Sequence, residues 1–114
     1  ILVINEVPDI EADRRAHKRT LVVRWGVGGA RWIYRGLTGI ALAASGAAIV
    51  RHALPLWYSL PALIFAGLGL HAVRGISPEP HARPRLKRSI ELSLAIHALG
   101  CVTLVAAILL NHII

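Results

Sequence analysis

The chain has 114 residues, 55% of them hydrophobic, with a single cysteine and a formal net charge of +7. At a mean hydropathy of +0.59 a soluble domain of this size would leave too much apolar surface in water, and the apolar residues fall in blocks that read as membrane spans. One cysteine excludes a disulfide framework and a Cys-rich metal centre, and the basic residues form no patch on a water-soluble fold, which argues against nucleic acid as a partner.

Residues 1–16 read as the end of a preceding apolar helix that carries an acidic motif. No secretory signal is visible, because the first residues lack a basic region and lead straight into a polar stretch. Residue 1 is Ile and the sequence contains no Met, so the chain is expected to be the C-terminal part of something longer. Pro8 removes a backbone donor and clashes with the preceding turn, which predicts a kink or break between Ile4 and Pro8. A helix restarting there places Asp9 in its first turn, where carboxylates are favoured.

Residues 5–20 hold Glu6, Asp9, Glu11 and Asp13, four of the six carboxylates, beside Arg14, Arg15, Lys18 and Arg19. Asn5, Asp9 and Asp13 are spaced four apart. On a helix each such step turns about 40° and climbs about 6 Å, so the three share a face. Two carboxylates and an amide oxygen in a column suit Mg²⁺. Lys18 and Arg19 follow at once and can meet the oxygens of a diphosphate. The same charges also read as a solvated helix surface.

Residues 17–30 are expected to be a connection, with Gly26, Gly28 and Gly29 permitting a turn. They lack the strand and the Lys-Ser/Thr of a phosphate-cradling loop. Residues 31–50 are the first complete span, entered by Arg31 and Arg35 with Trp32 and Tyr34 as an aromatic belt. Gly39, Ala43 and Ala47 form a row of small residues that lets another helix approach closely. Residues 56–73 are the second span, entered by Trp57 and Tyr58. Residues 75–88 read as a loop in which three prolines exclude helix and strand. Its basic residues suit anionic headgroups. Residues 89–110 are the third span, containing Cys101, read as packing, and His97. An ionisable group inside a span is a functional candidate, against the plainer reading of a neutral His bonded to a neighbouring helix.

Of the thirteen Lys and Arg residues, only Arg51 lies between the first and second spans. The positive-inside rule then puts the acidic motif and residues 74–88 on the cytoplasmic side of a membrane, expected to be a prokaryotic cytoplasmic membrane.

Asn5-Glu6-x-Pro8-Asp9-x-x-x-Asp13, followed by Lys18-Arg19-Thr20-Leu21-x-Val23-Arg24 and an Arg-rich entry into a small-residue helix, resembles the second aspartate-rich motif and C-terminal helices of the UbiA-type intramembrane prenyltransferases. The resemblance implies an all-α bundle of nine transmembrane helices. This chain would supply the end of the sixth and the last three. It further implies Mg²⁺ held by aspartates from two motifs, an isoprenyl diphosphate that loses diphosphate to leave an allylic cation, and an aromatic acceptor that attacks it. By this carry-over Asp9 and Asp13 bind Mg²⁺ with Asn5 beside them, and Lys18 and Arg19 neutralise the diphosphate. The Asn-Glu-x-Pro-Asp form is similar to quinone-pathway members acting on a dihydroxynaphthoate-type acceptor. Two departures stand out: His17 replaces the Gly that the family usually has before Lys-Arg-Thr, and the first aspartate-rich motif is absent. The chain alone is therefore expected to be inactive and to need the missing N-terminal helices.

A reading of a different class is a non-catalytic accessory or anchor subunit of a respiratory or photosynthetic complex, among neighbouring membrane subunits, or a prenyltransferase-derived remnant in that role. In it His71 and His97 come to similar depth and ligate a b-type haem.

Overall fold

The computed structural model describes residues 2–77 and 83–113. Among them the chain is all helix and turn. Two short helices, α1 (Leu2–Asn5) and α2 (Ile10–Arg15), lead into three long elements: α3 (Leu21–Val50), α4 (Ser59–Val73) preceded by a 3₁₀ turn at Leu56–Tyr58, and α5 (Arg83–Ile113). Among the described residues three stretches are long and apolar enough to cross a membrane: Leu21–Val50, Leu56–Val73 and Arg83–Ile113.

The break at Pro8 is present. α1 ends at Asn5 and α2 begins at Ile10, with Asp9 at its N-cap position. The Asp9 amide bonds back to the Glu6 carbonyl across this turn.

Of residues 17–30, only 17–20 connect helices; residues 21–30 are helical. Thr20 caps α3, its hydroxyl oxygen accepting the Val23 amide proton at 3.2 Å, so helix starts at Leu21. Of the three glycines only Gly26 turns, at φ 67° and ψ −173°. That backbone region is open to glycine alone. It separates a short helical piece, residues 21–25, from the long run that follows. Gly28 and Gly29 lie inside helix. The helix that contains the first apolar stretch thus begins upstream of position 31.

The third long helix also starts early. Residues 83–88, expected as loop, are helical. Pro84 stands in the first turn, where its missing amide proton has no intrahelical partner to lose. Pro78 and Pro80 of the expected loop lie outside the described residues, as does Ile1.

Two clusters hold the elements together. Ile4, Val7, Ile10, Val22, Ala30, Ile76 and Leu86 form a core at the end that carries the acidic motif. Leu54, Tyr58 and Ala107 form a smaller one at the other end. Burying an aliphatic side chain of this kind stabilises by roughly 1.5–3 kcal/mol, so the first cluster is what fixes α1 and α2 against α3 and α5. Polar ties add to it. The Arg31 Nε donates to the Ile76 carbonyl at 2.6 Å, and the Tyr34 hydroxyl donates to Ser93 Oγ at 2.9 Å.

The outer faces are apolar and bare. Ile40, Leu60, Val102 and Val105 are all exposed. Gly39, Ala43 and Ala47 also point outward, and no described helix packs on that row. The close approach between α3 and α4 falls instead at Gly69, against the Thr38 and Tyr34 side chains.

Candidate functional site

The acidic motif sits where the cluster around Ile4 and Ile10 pins α2 to the entry of α3. Ile10 faces that core. The Asp13 amide donates to the Asp9 carbonyl at 2.8 Å, one helical turn back. Asp9 and Asp13 therefore keep the four-residue spacing and share a face of α2. Asn5 does not continue their column, because the chain leaves the helix between residues 5 and 10.

Each predicted site residue has its own environment. Asp9 is exposed, and its carboxylate makes no capping bond. Asp13 is one of three buried polar or charged residues among those described, 9% exposed. Its Oδ1 lies 3.0 Å from Lys18 Nζ. The Asn5 side-chain oxygen is buried and accepts no hydrogen bond among the described residues. Such an orphan acceptor costs about 1–3 kcal/mol unless something fills its lone pairs. Arg19 is exposed and forms no ion pair among the described residues.

The end of α2 explains why Lys18 meets Asp13. The His17 amide bonds to the Arg14 carbonyl at 3.2 Å, and the Lys18 amide to the Asp13 carbonyl at 2.9 Å. These two bonds are the Schellman pattern, which needs a left-handed residue just past the helix. His17 is that residue, at φ 55°. The turn folds Lys18 back over the last turn of α2 and onto Asp13. The Lys18 ammonium is held above the ordinary lysine value, first by its hydrogen bond to Asp13 and then by the Asp13 charge, with Asp9 adding in the same direction and desolvation opposing.

Sequence reasoning missed this pairing. The signal was the departure from Gly at residue 17, since a Gly there marks a left-handed position.

A different side of α2 borders an open groove of about 1090 Å³. Ile10, Glu11 and Arg14 line it from α2, and Leu86, Lys87 and Ile90 from α5. Glu11 and Arg14 pair with each other at 2.8 Å.

A model of the UbiA prenyltransferase family matches residues 1–99. The chain belongs to the UbiA prenyltransferase family. The match covers the acidic motif, α3, α4 and the first part of α5, so family membership and the all-α membrane architecture agree. It supports a prenyltransferase-type function for an integral membrane protein. Searches of curated proteins and of solved structures found no match.

UbiA proteins are generally dependent on a divalent metal. The chemistry of the residues present is compatible with such an ion: two carboxylates one turn apart and a buried amide oxygen without a partner among the described residues are all hard oxygen groups. Among the described residues no three His, Cys, Asp or Glu side chains converge, so these oxygens make at most part of a coordination sphere. His71 and His97 are both exposed, and His97 has Cys101 Sγ one turn along α5 at 3.9 Å.

Proposed function

We propose that this chain is the C-terminal portion of a Mg²⁺-dependent membrane prenyltransferase that moves an isoprenyl group from its diphosphate to an aromatic, quinone-precursor-like acceptor. The observation that carries the reading is the single helical turn from Asp9 to Asp13, with Lys18 beside it.

Asp9 and Asp13 are the residues that would hold Mg²⁺, which when bound supplies positive charge against the departing diphosphate, and Asn5 would serve the diphosphate beside them. Lys18 offers an ammonium on a flexible stem, and Arg19 a planar fork for paired phosphate oxygens. The core around Ile4, Ile10 and Val22 keeps α2 in place while these side chains change partners.

Other tasks fall to the rest of the protein. The described residues offer bare apolar helix faces rather than an enclosed chamber for a long isoprenoid. Enclosure, the first aspartate-rich motif and the acceptor site belong to the preceding helices, and the 114-residue chain by itself is inactive. The charge distribution, with Arg51 the only Lys or Arg between the first two spans, supports placing the site at the cytoplasmic surface.

The test is made in the full-length protein. Asp9→Asn and Asp13→Asn should each lower Mg²⁺-dependent transfer from a prenyl diphosphate by more than about 100-fold, since even residues that merely orient metal ligands cost 10–100-fold. Wild-type activity in both variants would remove the site assignment. Turnover by the isolated 114-residue chain would remove the claim that the preceding helices are needed.

A further inference from the structure

We propose that Lys18 is a resident counter-ion on Asp13 that an incoming divalent cation displaces as it binds. The proposal rests on the reading of Asp13 as a metal ligand given above and adds what happens to the residue already there.

Asp13 is a poor place for an unpaired charge. Its side chain is 12% exposed, while the Lys18 side chain is 64% exposed. A nearly buried carboxylate without a partner is costly, and Lys18 Nζ at 3.0 Å from Oδ1 supplies the partner. The ammonium therefore stands on an oxygen that a cation would use. Asp13 Oδ2 is open to a cation, but a divalent ion bound there would stand within a few ångström of the ammonium, and repulsion at that range favours moving the lysine.

The geometry lets the side chain leave without unfolding the turn. The Lys18 backbone is anchored separately, by its amide on the Asp13 carbonyl at 2.9 Å. Only the four-carbon stem has to swing, and it swings toward solvent. Of the carboxylates near the displaced ammonium, Glu11 is taken by Arg14, and Asp9, whose charge already acts on Lys18, is itself read as a metal ligand. An anion that arrives with the metal offers the ammonium a new partner. Arg19, one residue on, has no ion pair to give up among the described residues and serves as the control.

The experiment is direct Mn²⁺ binding to the full-length protein in nanodiscs, without any diphosphate, followed by the resonance of free Mn²⁺. Lys18→Met should bind Mn²⁺ about threefold to fivefold more tightly than wild type, the range set by a half-exposed ion pair. Lys18→Gln should do the same, because the effect belongs to the charge and not to packing. Arg19→Met removes an equal charge without touching Asp13 and should stay within about twofold, as expected for a screened exposed charge. Equal shifts in Lys18→Met and Arg19→Met, or weaker Mn²⁺ binding by Lys18→Met, would overturn the proposal while leaving the metal assignment intact. Unchanged Mn²⁺ affinity in Asp13→Asn would instead overturn the metal assignment itself, and this inference with it.

Discussion

His17 and His52 occupy the same backbone position at the ends of two different helices. Both are left-handed, at φ 55° and 59°. Past α2 the amides of His17 and Lys18 bond to the carbonyls of Arg14 and Asp13, and past α3 the amides of His52 and Ala53 bond to those of Ile49 and Ala48. Each pair of bonds closes a Schellman motif around a residue type that resists this conformation by roughly 1–2 kcal/mol. Glycine removes that strain but gains freedom in the unfolded chain. His17→Gly and His52→Gly should therefore each stabilise by about 0.5–1 kcal/mol in thermal unfolding of the solubilised protein. Val at either position should destabilise instead. Two silent glycine variants would mean that the turns carry no strain.

Tyr34 and Ser93 make the one side-chain hydrogen bond that joins α3 to α5 among the described residues. It lies between apolar helices, with Ser93 4% exposed. Tyr34→Phe and Ser93→Ala should each cost about 0.5–1.5 kcal/mol. A double-mutant cycle should return a coupling of about 0.6 kcal/mol, the usual value between helices in a bilayer. Strict additivity of the two losses would show that the hydroxyls act separately.

What the chain shows openly and what it conceals follow from the same residues. The break near Pro8 is legible because proline removes a donor wherever it sits inside a helix. Pro84 carries the same chemistry, yet it lies within α5, because at the first turn there is no bond to lose. The three spans follow from apolar length. Their starts do not, because one glycine of three, Gly26, takes the turn, and nothing local distinguishes it from Gly28. Spacing placed Asp9 and Asp13 together but could not pair Asp13 with Lys18, since that contact depends on the left-handed His17. The row at Gly39, Ala43 and Ala47 is visible as a pattern. No described helix packs on it, and the α3–α4 contact uses Gly69 instead.

Gly75 has no room for a side chain. A Cβ there would overlap Ser89 Oγ and stand 2.8 Å from the Arg85 carbonyl oxygen. The serine can rotate away, but the carbonyl belongs to α5 and cannot. Gly75→Ala should thus destabilise by about 1–3 kcal/mol, the cost of overpacking. Adding Ser89→Gly should recover only part of the loss. Full recovery in the double variant would assign the whole clash to the serine and free the backbone approach from blame.

The Lys18–Asp13 pair should leave a signature in alkaline solution. The folded state raises the Lys18 pKa above its ordinary value, through the Asp13 hydrogen bond first and the Asp13 charge second. A group with a raised folded pKa stabilises fully below its unfolded pKa and loses that contribution as pH climbs through the folded one. In metal-free protein the difference in unfolding midpoint between wild type and Lys18→Met should therefore be level through neutral and mildly alkaline pH. It should then shrink as pH enters and passes the lysine range. Because Lys18 is largely exposed, added salt should narrow the difference at every pH below that range. A difference that grows on the alkaline side would be the wrong sign for a paired ammonium. A difference already absent at neutral pH would mean that Asp13 is stabilised by something other than Lys18.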